Sequence, residues 1–100
     1  MKNLLEMKGN AKKAADLLKA ISHESRLLIL CLLVQGEMSV GELAEYSHLS
    51  QSAFSQHLSV LRKEALVSTR KEAQTVFYRL KSENVKKILN TLYNIYCKTK

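Results

Sequence analysis

The spacing of apolar residues in the first third of the chain predicts two helices. Residues 10–21 carry apolar side chains at helical spacing, which predicts an amphipathic first helix. A second helix is predicted over about 23–35, beginning near His23, because Leu27–Val34 is apolar on nearly every side. Gly36 is expected to cap its C-terminal end. A helix without a polar face is predicted to lie at the centre of the fold.

Two shorter helices separated by a tight polar turn are predicted over residues 39–64. Ser39 and Glu42 fit a capping box at the start of the first helix, and Ser50 fits the N-cap of the second. The stretch Ser47-His48-Leu49 between them leaves room only for a turn, where His48 is expected at the surface. This pattern is typical of a helix-turn-helix.

The second of these helices has the features of a recognition helix, whose N-terminal residues meet base edges in the major groove. Phe54, Leu58 and Leu61 recur at core spacing and are expected to face inward. The polar side chains can bond bases, glutamine being suited to adenine, or phosphates, and His57 is expected to be a secondary contact. The candidate DNA-binding residues on this helix are Gln51, Ser52, Ser55, Gln56, His57 and Arg62.

Two short strands are predicted after the helix-turn-helix, over 66–71 and 75–80, because both segments are rich in β-branched and aromatic residues. The loop between them lacks the glycine of a tight turn, so a longer and more mobile connection is expected. Such a projecting hairpin is called a wing. Arg70 and Lys71 before the loop and Gln74 within it are candidate contacts to phosphate or to the adjacent minor groove.

A last helix is predicted over 83–97, with Ser82 as its cap and a wide apolar stripe along it. Together with the helix at 10–21, this stripe is the candidate subunit interface, and packing onto its own domain is the alternative. We therefore expect one winged helix-turn-helix domain over 1–100, with the helix-turn-helix at 39–64 and the wing at 66–80. The fold class is mainly helical with a small β-hairpin, in the order α-α-α-α-β-β-α, and dimeric.

Composition adds a partner class to this fold. One hundred residues form a small domain that buries roughly 60–70% of its unfolded surface, so dimerisation would bury more. The net charge is +7, and residues 1–50 carry six basic and six acidic side chains, so the excess falls in residues 51–100. That half holds the candidate recognition helix and wing. The charge indicates nucleic-acid binding, with solubilising surface charge as the alternative.

Several classes are disfavoured. The sequence contains no Cys-x-x-Cys, no glycine-rich phosphate loop and no clustered carboxylates, so no enzyme activity, catalytic residue or cofactor is expected. No signal peptide and no run of roughly 20 apolar residues is visible, so a cytoplasmic protein without a membrane partner is expected. A winged helix that contacts other proteins remains a rival, because fold does not fix function. Salt-dependent duplex binding would distinguish the two.

The order of elements, with the segments His23–Leu30, Met38–Ala44, Leu49–Leu58 and Val76–Leu80, resembles the ArsR/SmtB family of winged-helix bacterial regulators. The segment Ser68–Tyr78 and the positions of the two cysteines look most like the thiol-sensing HlyU, BigR and SqrR branch. This resemblance implies a homodimer that binds an inverted-repeat promoter site, as repressor or activator.

Members of this family often sense metals, but the matching ligands are missing here. The Cys-x-Cys position of the arsenic and cadmium sensors corresponds to Ser39–Gly41, which has no thiol. The last-helix ligands of the zinc sensors correspond to residues 82–100, which contain Glu83 and no histidine. The three histidines are scattered over different elements. No metal site is expected.

Cys31 and Cys97 match the thiol positions of the same branch, which implies a switch operated by reactive sulfur or another oxidant. From the residues alone, Cys31 lies in an apolar run, where a thiol is usually a small hydrophobic group. The helix dipole disfavours a Cys97 thiolate while Lys98 and Lys100 favour it, so the residues alone leave the reactivity of Cys97 open. A direct disulfide needs Cα atoms within about 7 Å, whereas a polysulfide bridge spans more. An inducer that does not act on thiols is the alternative.

Overall fold

The structure, a computed structural model, describes residues 3–97, which form five helices and three strands. Their bounds are α1 (Leu4–Ile21), α2 (Glu24–Val34), β1 (Met38–Ser39), α3 (Val40–Ala44), α4 (Gln51–Lys63), β2 (Val67–Glu72), β3 (Thr75–Leu80) and α5 (Glu83–Tyr96). The predicted class, a mainly helical winged helix-turn-helix with a small antiparallel sheet, is confirmed. The predicted order is also confirmed, with the addition of β1.

Helix α1 is six residues longer than predicted. It begins at Leu4 rather than residue 10, because Asn3 serves as its N-cap and accepts a hydrogen bond from the Glu6 N–H at 2.9 Å. Gly9 lies inside the helix without ending it. The prediction began at the first clear apolar repeat and missed the cap that precedes it.

Helix α2 lies at the centre of the fold, as predicted. His23 is its N-cap, and the His23 Nδ1 atom accepts a hydrogen bond from the Ser25 N–H at 3.1 Å. The C-cap is Gln35 and not Gly36; Gly36 is the next residue and has a φ of 145°, which favours glycine. The exposed side chains of Leu28 and Cys31 show that α2 is not buried on every side.

The hydrophobic core joins α2, α4, the sheet, the first half of α5, the last turn of α1 and one residue of α3. The inward positions predicted on α4 are confirmed, since Phe54, Leu58 and Leu61 are all buried. The buried side chains are Ala20, Ile21, Ile29, Leu30, Leu33, Leu43, Phe54, Leu58, Leu61, Leu66, Val67, Tyr78, Val85 and Leu89. This core holds α4 by one face and leaves the other face at the surface.

The sheet has three antiparallel strands in the order β1-β3-β2, not the two predicted. Two residues of β1 pair with β3, in the register Met38↔Tyr78 and Ser39↔Phe77. A strand of this length shows no alternation in sequence and was therefore missed. The wing loop also differs, because Glu72 pairs with Thr75 and leaves a two-residue turn in place of the longer connection expected.

A residue in the left-handed conformation follows the end of α4, where the chain turns toward β2. Ala65 has a φ of 60°. Its N–H donates to the Arg62 carbonyl at 3.0 Å, and the Leu66 N–H donates to the Leu61 carbonyl at 3.0 Å. This pair of bonds is a Schellman motif, with alanine at the position that glycine usually occupies.

The apolar stripe of α5 divides into two parts. Val85 and Leu89 pack in the core of their own domain, whereas Tyr93, Ile95 and Tyr96 are 57%, 62% and 80% exposed. Helix α1 is similar, because Ala20 and Ile21 are its buried residues and the earlier turns lie at the surface. Among the helices described, none is long and apolar enough to cross a membrane.

Candidate functional site

Side-chain caps fix both helices of the helix-turn-helix. The Glu42 N–H donates to Ser39 Oγ at 3.1 Å, and the Ser39 N–H donates to Glu42 Oε1 at 2.8 Å, which confirms the predicted capping box. At the second helix, the Ala53 N–H donates to Ser50 Oγ at 3.2 Å, which confirms Ser50 as the N-cap. The start and direction of α4 are therefore set by local hydrogen bonds.

The outer face of α4 carries a row of exposed polar side chains. Four of the candidate residues, Gln51, Ser52, Ser55 and Gln56, are all exposed, so no other part of the subunit covers them. Ser59 is exposed at the next position of the same row and was not among the predicted residues. The spacing i, i+3, i+4, i+7 from Ser52 would have found it.

His57 does not project freely beside this row. Its half-buried ring lies against the ring of His23, with centroids 4.2 Å apart and planes tilted by 49°. Burial lowers the pKa of His57, and the nearby His23 and Arg26 lower it further. The side chain thus contacts the N-terminal end of α2, which the sequence did not indicate.

Arg62, at the other end of α4, contacts the sheet. Its Nη1 donates a hydrogen bond to the hydroxyl of the buried Tyr78, and its guanidinium lies 5.9 Å from the centroid of that ring. This contact joins the last turn of the recognition helix to β3 and supplies a polar partner for a buried phenol.

The three candidate residues of the wing have different surroundings. Lys71 and Gln74 are exposed near its tip. The Arg70 guanidinium instead donates to both carboxylate oxygens of Glu37 at 2.8 Å, and to Glu72 at 3.0 Å. These bonds raise the pKa of Arg70, and the bond from Arg70 is the main cause of the lowered pKa of Glu37. Phe77 lies beneath the guanidinium, at 4.4 Å from its ring centroid.

The structure brings both cysteines to one groove between α2 and α5, with a volume of about 640 Å³. Both thiols are free, and both residues are exposed. Local burial in this apolar groove raises the pKa of Cys31, and the nearby Cys97 raises it further. A raised pKa reduces the fraction of Cys31 that is present as the reactive thiolate. The groove is lined by Leu27, Cys31, Leu32, Val34, Gln35, Leu89, Asn90, Leu92, Tyr93, Tyr96 and Cys97.

The histidines and acids do not assemble a metal centre in the part of the chain that the structure describes. Over residues 3–97, no group of three or more His, Cys, Asp or Glu side chains is placed to hold an ion. His48 lies exposed in the turn before α4, as predicted. His23 and His57 are a pair without a third ligand.

A helix-turn-helix that exposes the polar face of its second helix, followed by a wing, defines a DNA-binding winged-helix transcriptional regulator. The profile of the family described as "Bacterial regulatory protein, arsR family" matches residues 23–69. The transcriptional activator HlyU of Vibrio cholerae is 57% identical over 95 residues, which cover 95% of this chain and 88% of that protein. The chain belongs to the ArsR family of bacterial regulatory proteins.

Solved structures support the same assignment. Reduced HlyU from Vibrio cholerae has a TM-score of 0.89 at 56% identity, over 95% of this chain and all of that one (100%). The transcriptional repressor BigR from Xylella fastidiosa has a TM-score of 0.86 at 40% identity, covering 98% and 100%. A homodimeric winged helix-turn-helix DNA-binding domain from Mycobacterium bovis has a TM-score of 0.75 at 28% identity, covering 89% and 82%.

Proposed function

We propose that the protein binds an inverted-repeat promoter site as a homodimer, and that modification of its two cysteines switches this binding. The observation that carries the proposal is the exposed polar row on α4, formed by Gln51, Ser52, Ser55 and Gln56. These side chains have the hydrogen-bonding groups that read base edges in a major groove. The caps of α3 and α4 hold the row in a fixed position before DNA arrives.

The wing supplies the second set of contacts. Lys71 and Gln74 are exposed near its tip and meet a phosphate or the minor groove beside the recognition helix. Arg62 and His57 have protein partners, so they act at the edge of the α4 surface and support its position. The positive charge of residues 51–100 adds affinity for any duplex, while the row on α4 discriminates among sequences.

The dimer uses the exposed apolar residues of α1 and α5. Leu4, Leu5 and Leu18 on α1, with Ile95 and Tyr96 on α5, are exposed in the single subunit. Apolar area of this kind is stabilised by burial against a second copy. The homodimeric relative from Mycobacterium bovis supports this assembly. A two-fold dimer places its recognition helices about 34 Å apart, which matches an inverted repeat.

The cysteine groove is the sensor. Its two free thiols come from different parts of the chain: Cys31 lies on α2, and Cys97 caps the C-terminal end of α5 beside the proposed interface. A polysulfide transfers two of its sulfur atoms to one thiolate and leaves shortened by two atoms. The second thiolate then attacks the sulfur bonded to the first cysteine and expels the outer sulfur as hydrosulfide, which leaves one sulfur atom between the two cysteine sulfurs. The thiols lose two protons and are oxidised, the polysulfide is reduced, and a bridge joins α2 to α5.

Such a bridge acts on DNA binding through the subunit angle. Helix α2 is packed in the core of its domain, whereas the exposed end of α5 belongs to the proposed interface. Joining them rotates each DNA-binding surface relative to the dimer axis. Two helices that must enter grooves one turn apart tolerate little rotation, so binding weakens.

Fluorescence anisotropy with a promoter fragment from beside its own gene tests the proposal, first with reduced protein and then after polysulfide treatment. We expect the reduced wild-type protein to bind the fragment tightly and to release it after polysulfide treatment. Cys31→Ser should bind the fragment both before and after treatment. Release of Cys31→Ser by polysulfide would contradict the bridge. Tight binding without release would leave a regulator with another inducer, and no binding would favour a protein-interaction module.

A paired experiment tests the base contacts. Ser55→Ala with Gln56→Ala removes hydrogen-bonding groups from the exposed row and leaves the buried face of α4 intact. We expect preference for the promoter sequence over random duplex to fall by roughly tenfold or more, since one good base contact contributes about 1–3 kcal/mol of discrimination. Unchanged preference would move sequence reading to the wing.

A further inference from the structure

Arg70 of β2 contacts one side chain of β3 and one from the residue just before β1. The register places Arg70 of β2 opposite Phe77 of β3, and Phe77 opposite Ser39 of β1. Side chains two residues apart on a strand share a face, so Glu72 is on the side of Arg70, and Glu37 is the residue just before β1. The guanidinium lies over Phe77 and reaches Glu37 beyond it.

The geometry of the Glu37 contact is that of a strong ion pair. Two parallel N–H donors, Nε and Nη2, meet the two oxygens of one carboxylate at 2.8 Å each. This arrangement fixes orientation as well as distance. A third donor, Nη1, binds Glu72 at 3.0 Å. Arg70 has thus committed each of its three nitrogens to a carboxylate, and the three side chains together carry one net negative charge.

The position of Glu37 in the chain determines which elements this ion pair joins. It lies between the end of α2 at Val34 and the start of β1 at Met38, and Ser39 then caps the helix-turn-helix. The bond from Arg70 therefore joins the wing to the segment that leads into α3. Residues 33 positions apart in sequence are joined in this way.

We infer that Arg70 is a positioning residue, which holds the wing in register with the helix-turn-helix, and that it is not a phosphate contact. This inference rests on the proposed DNA-binding function and reassigns one residue within it. A phosphate that approached Arg70 would meet two carboxylates already bound to it, whereas Lys71, the next residue, lies exposed without such partners among the described contacts.

The variant Glu37→Gln separates the two roles by the sign of its effect. If Arg70 positions the wing, losing the ion pair frees the wing, and duplex affinity should fall by roughly fivefold, the upper range for an exposed ion pair. If Arg70 contacts phosphate, the same change releases it and removes a negative charge, so affinity should rise. Glu64→Gln is the matched control, because it removes one charge and is not a partner of Arg70.

The salt dependence of binding gives a second readout that a phosphate contact must change. Lys71→Gln should reduce the slope of log affinity against log salt by about 0.9, the value for one neutralised phosphate. Arg70→Gln should lower affinity at least as much as Glu37→Gln and leave this slope unchanged. The double variant Glu37→Gln with Arg70→Gln should be no weaker than Arg70→Gln alone, since both remove one interaction.

Amide hydrogen exchange of the free protein tests the ion pair without DNA. Amides of β2 and β3 near the turn should exchange faster in Glu37→Gln than in the wild-type protein or in Glu64→Gln. Tighter binding by Glu37→Gln, a smaller salt slope in Arg70→Gln, or unchanged exchange would each overturn the inference. Absence of duplex binding by the wild-type protein would overturn the proposed function, and the exchange measurement would then decide the positioning role.

Discussion

Two surfaces of the subunit differ in how far their side chains contact the rest of the domain: the helix-turn-helix with the wing, and α1 with the second half of α5. Around the helix-turn-helix and wing, long side chains bond to one another, as Arg62 does with Tyr78 and Arg70 with Glu37. On α1 and the second half of α5, large apolar groups contact little of their own domain: Leu5 is 82% exposed and Tyr96 is 80% exposed. The first side is held together by contacts within one copy, whereas the large apolar side chains of the second side stay exposed in one copy.

This contrast separates two sources of DNA affinity. The position of α4 relative to the wing comes from contacts inside one subunit, and does not depend on a partner. In the proposed dimer, the distance between two recognition helices depends on the α1 and α5 surfaces, whose large apolar side chains have few contacts within the single subunit. Changes on the first side should therefore alter stability and base preference, whereas changes on the second should alter assembly and the affinity for a paired site.

The largest change in the free energy of unfolding is expected on the buried face of α4, where the helix-turn-helix packs against the core. Leu61, in the last turns of α4, is fully buried, with 0% of its surface exposed. Leu61→Ala should lower the free energy of unfolding by about 2–5 kcal/mol in a urea titration, because it leaves a cavity. Leu61→Met, which keeps the volume, should cost less than about 1.5 kcal/mol. Equal small costs for the two variants would mean that α4 is loosely packed.

The second-largest effect is expected from a charge in the exposed apolar surface of α1 and α5. Ile95→Asp places a carboxylate in the proposed interface, where the wild-type side chain is 62% exposed in one subunit. We expect a monomer by sedimentation and a loss of affinity for the paired site of about 100-fold, since the second half-site no longer adds to binding. Asn94→Asp adds the same charge at the neighbouring exposed position and should remain dimeric. A monomeric wild-type protein would contradict the proposal that the α1 and α5 surfaces form a dimer interface.

A smaller gain is expected from the left-handed end of α4. Ala65 has a φ of 60°, which costs an L-residue energy that glycine avoids. Ala65→Gly should raise the free energy of unfolding by roughly 0.5–1 kcal/mol. Ala14→Gly, inside α1, should lower it by about as much, because that position is helical. Thermal unfolding of the two variants measures both signs, and a loss in Ala65→Gly would contradict the Schellman assignment.

The smallest expected effect is a dependence on pH. His57 has a lowered pKa in the folded protein, caused first by burial and then by His23 and Arg26. Above its usual value near 6.5 both states are neutral, so stability is unaffected there. As the pH falls below this value, the unfolded chain takes up a proton before the folded protein does, and stability decreases. Between pH 7.5 and 5.5, the free energy of unfolding from urea titrations should fall more steeply for the wild-type protein than for His57→Gln. Parallel pH dependences of the two proteins would contradict this.

Features set by neighbouring residues were predictable from the sequence. The caps at Ser39, Ser50 and Ser82 were found because a cap and its partner lie within three residues of each other. The inward face of α4 was found for a related reason, since helical spacing alone separates core positions from exposed ones. The same rule would have added Ser59 to the candidate row.

Features set by the sheet were not predictable. Strand β1 exists because Met38 and Ser39 find partners on β3, and two residues have no period of their own. The partners of Arg70 and Arg62 depend on that register, so the sequence indicated basic side chains but not the carboxylates and phenol that bind them. The wing turn was misjudged because Ala73 adopts a positive φ of 56° without being glycine.

That turn has a consequence for the thermodynamics of DNA binding. In the proposed complex with DNA, a wing closed by two residues, with Glu72 paired to Thr75, has few conformations to lose. A long floppy loop would pay for each residue that becomes ordered in the complex, whereas this hairpin arrives with its shape already set. The entropy cost of ordering the wing is therefore met largely during folding, and more of the energy of each contact at its tip remains available as affinity.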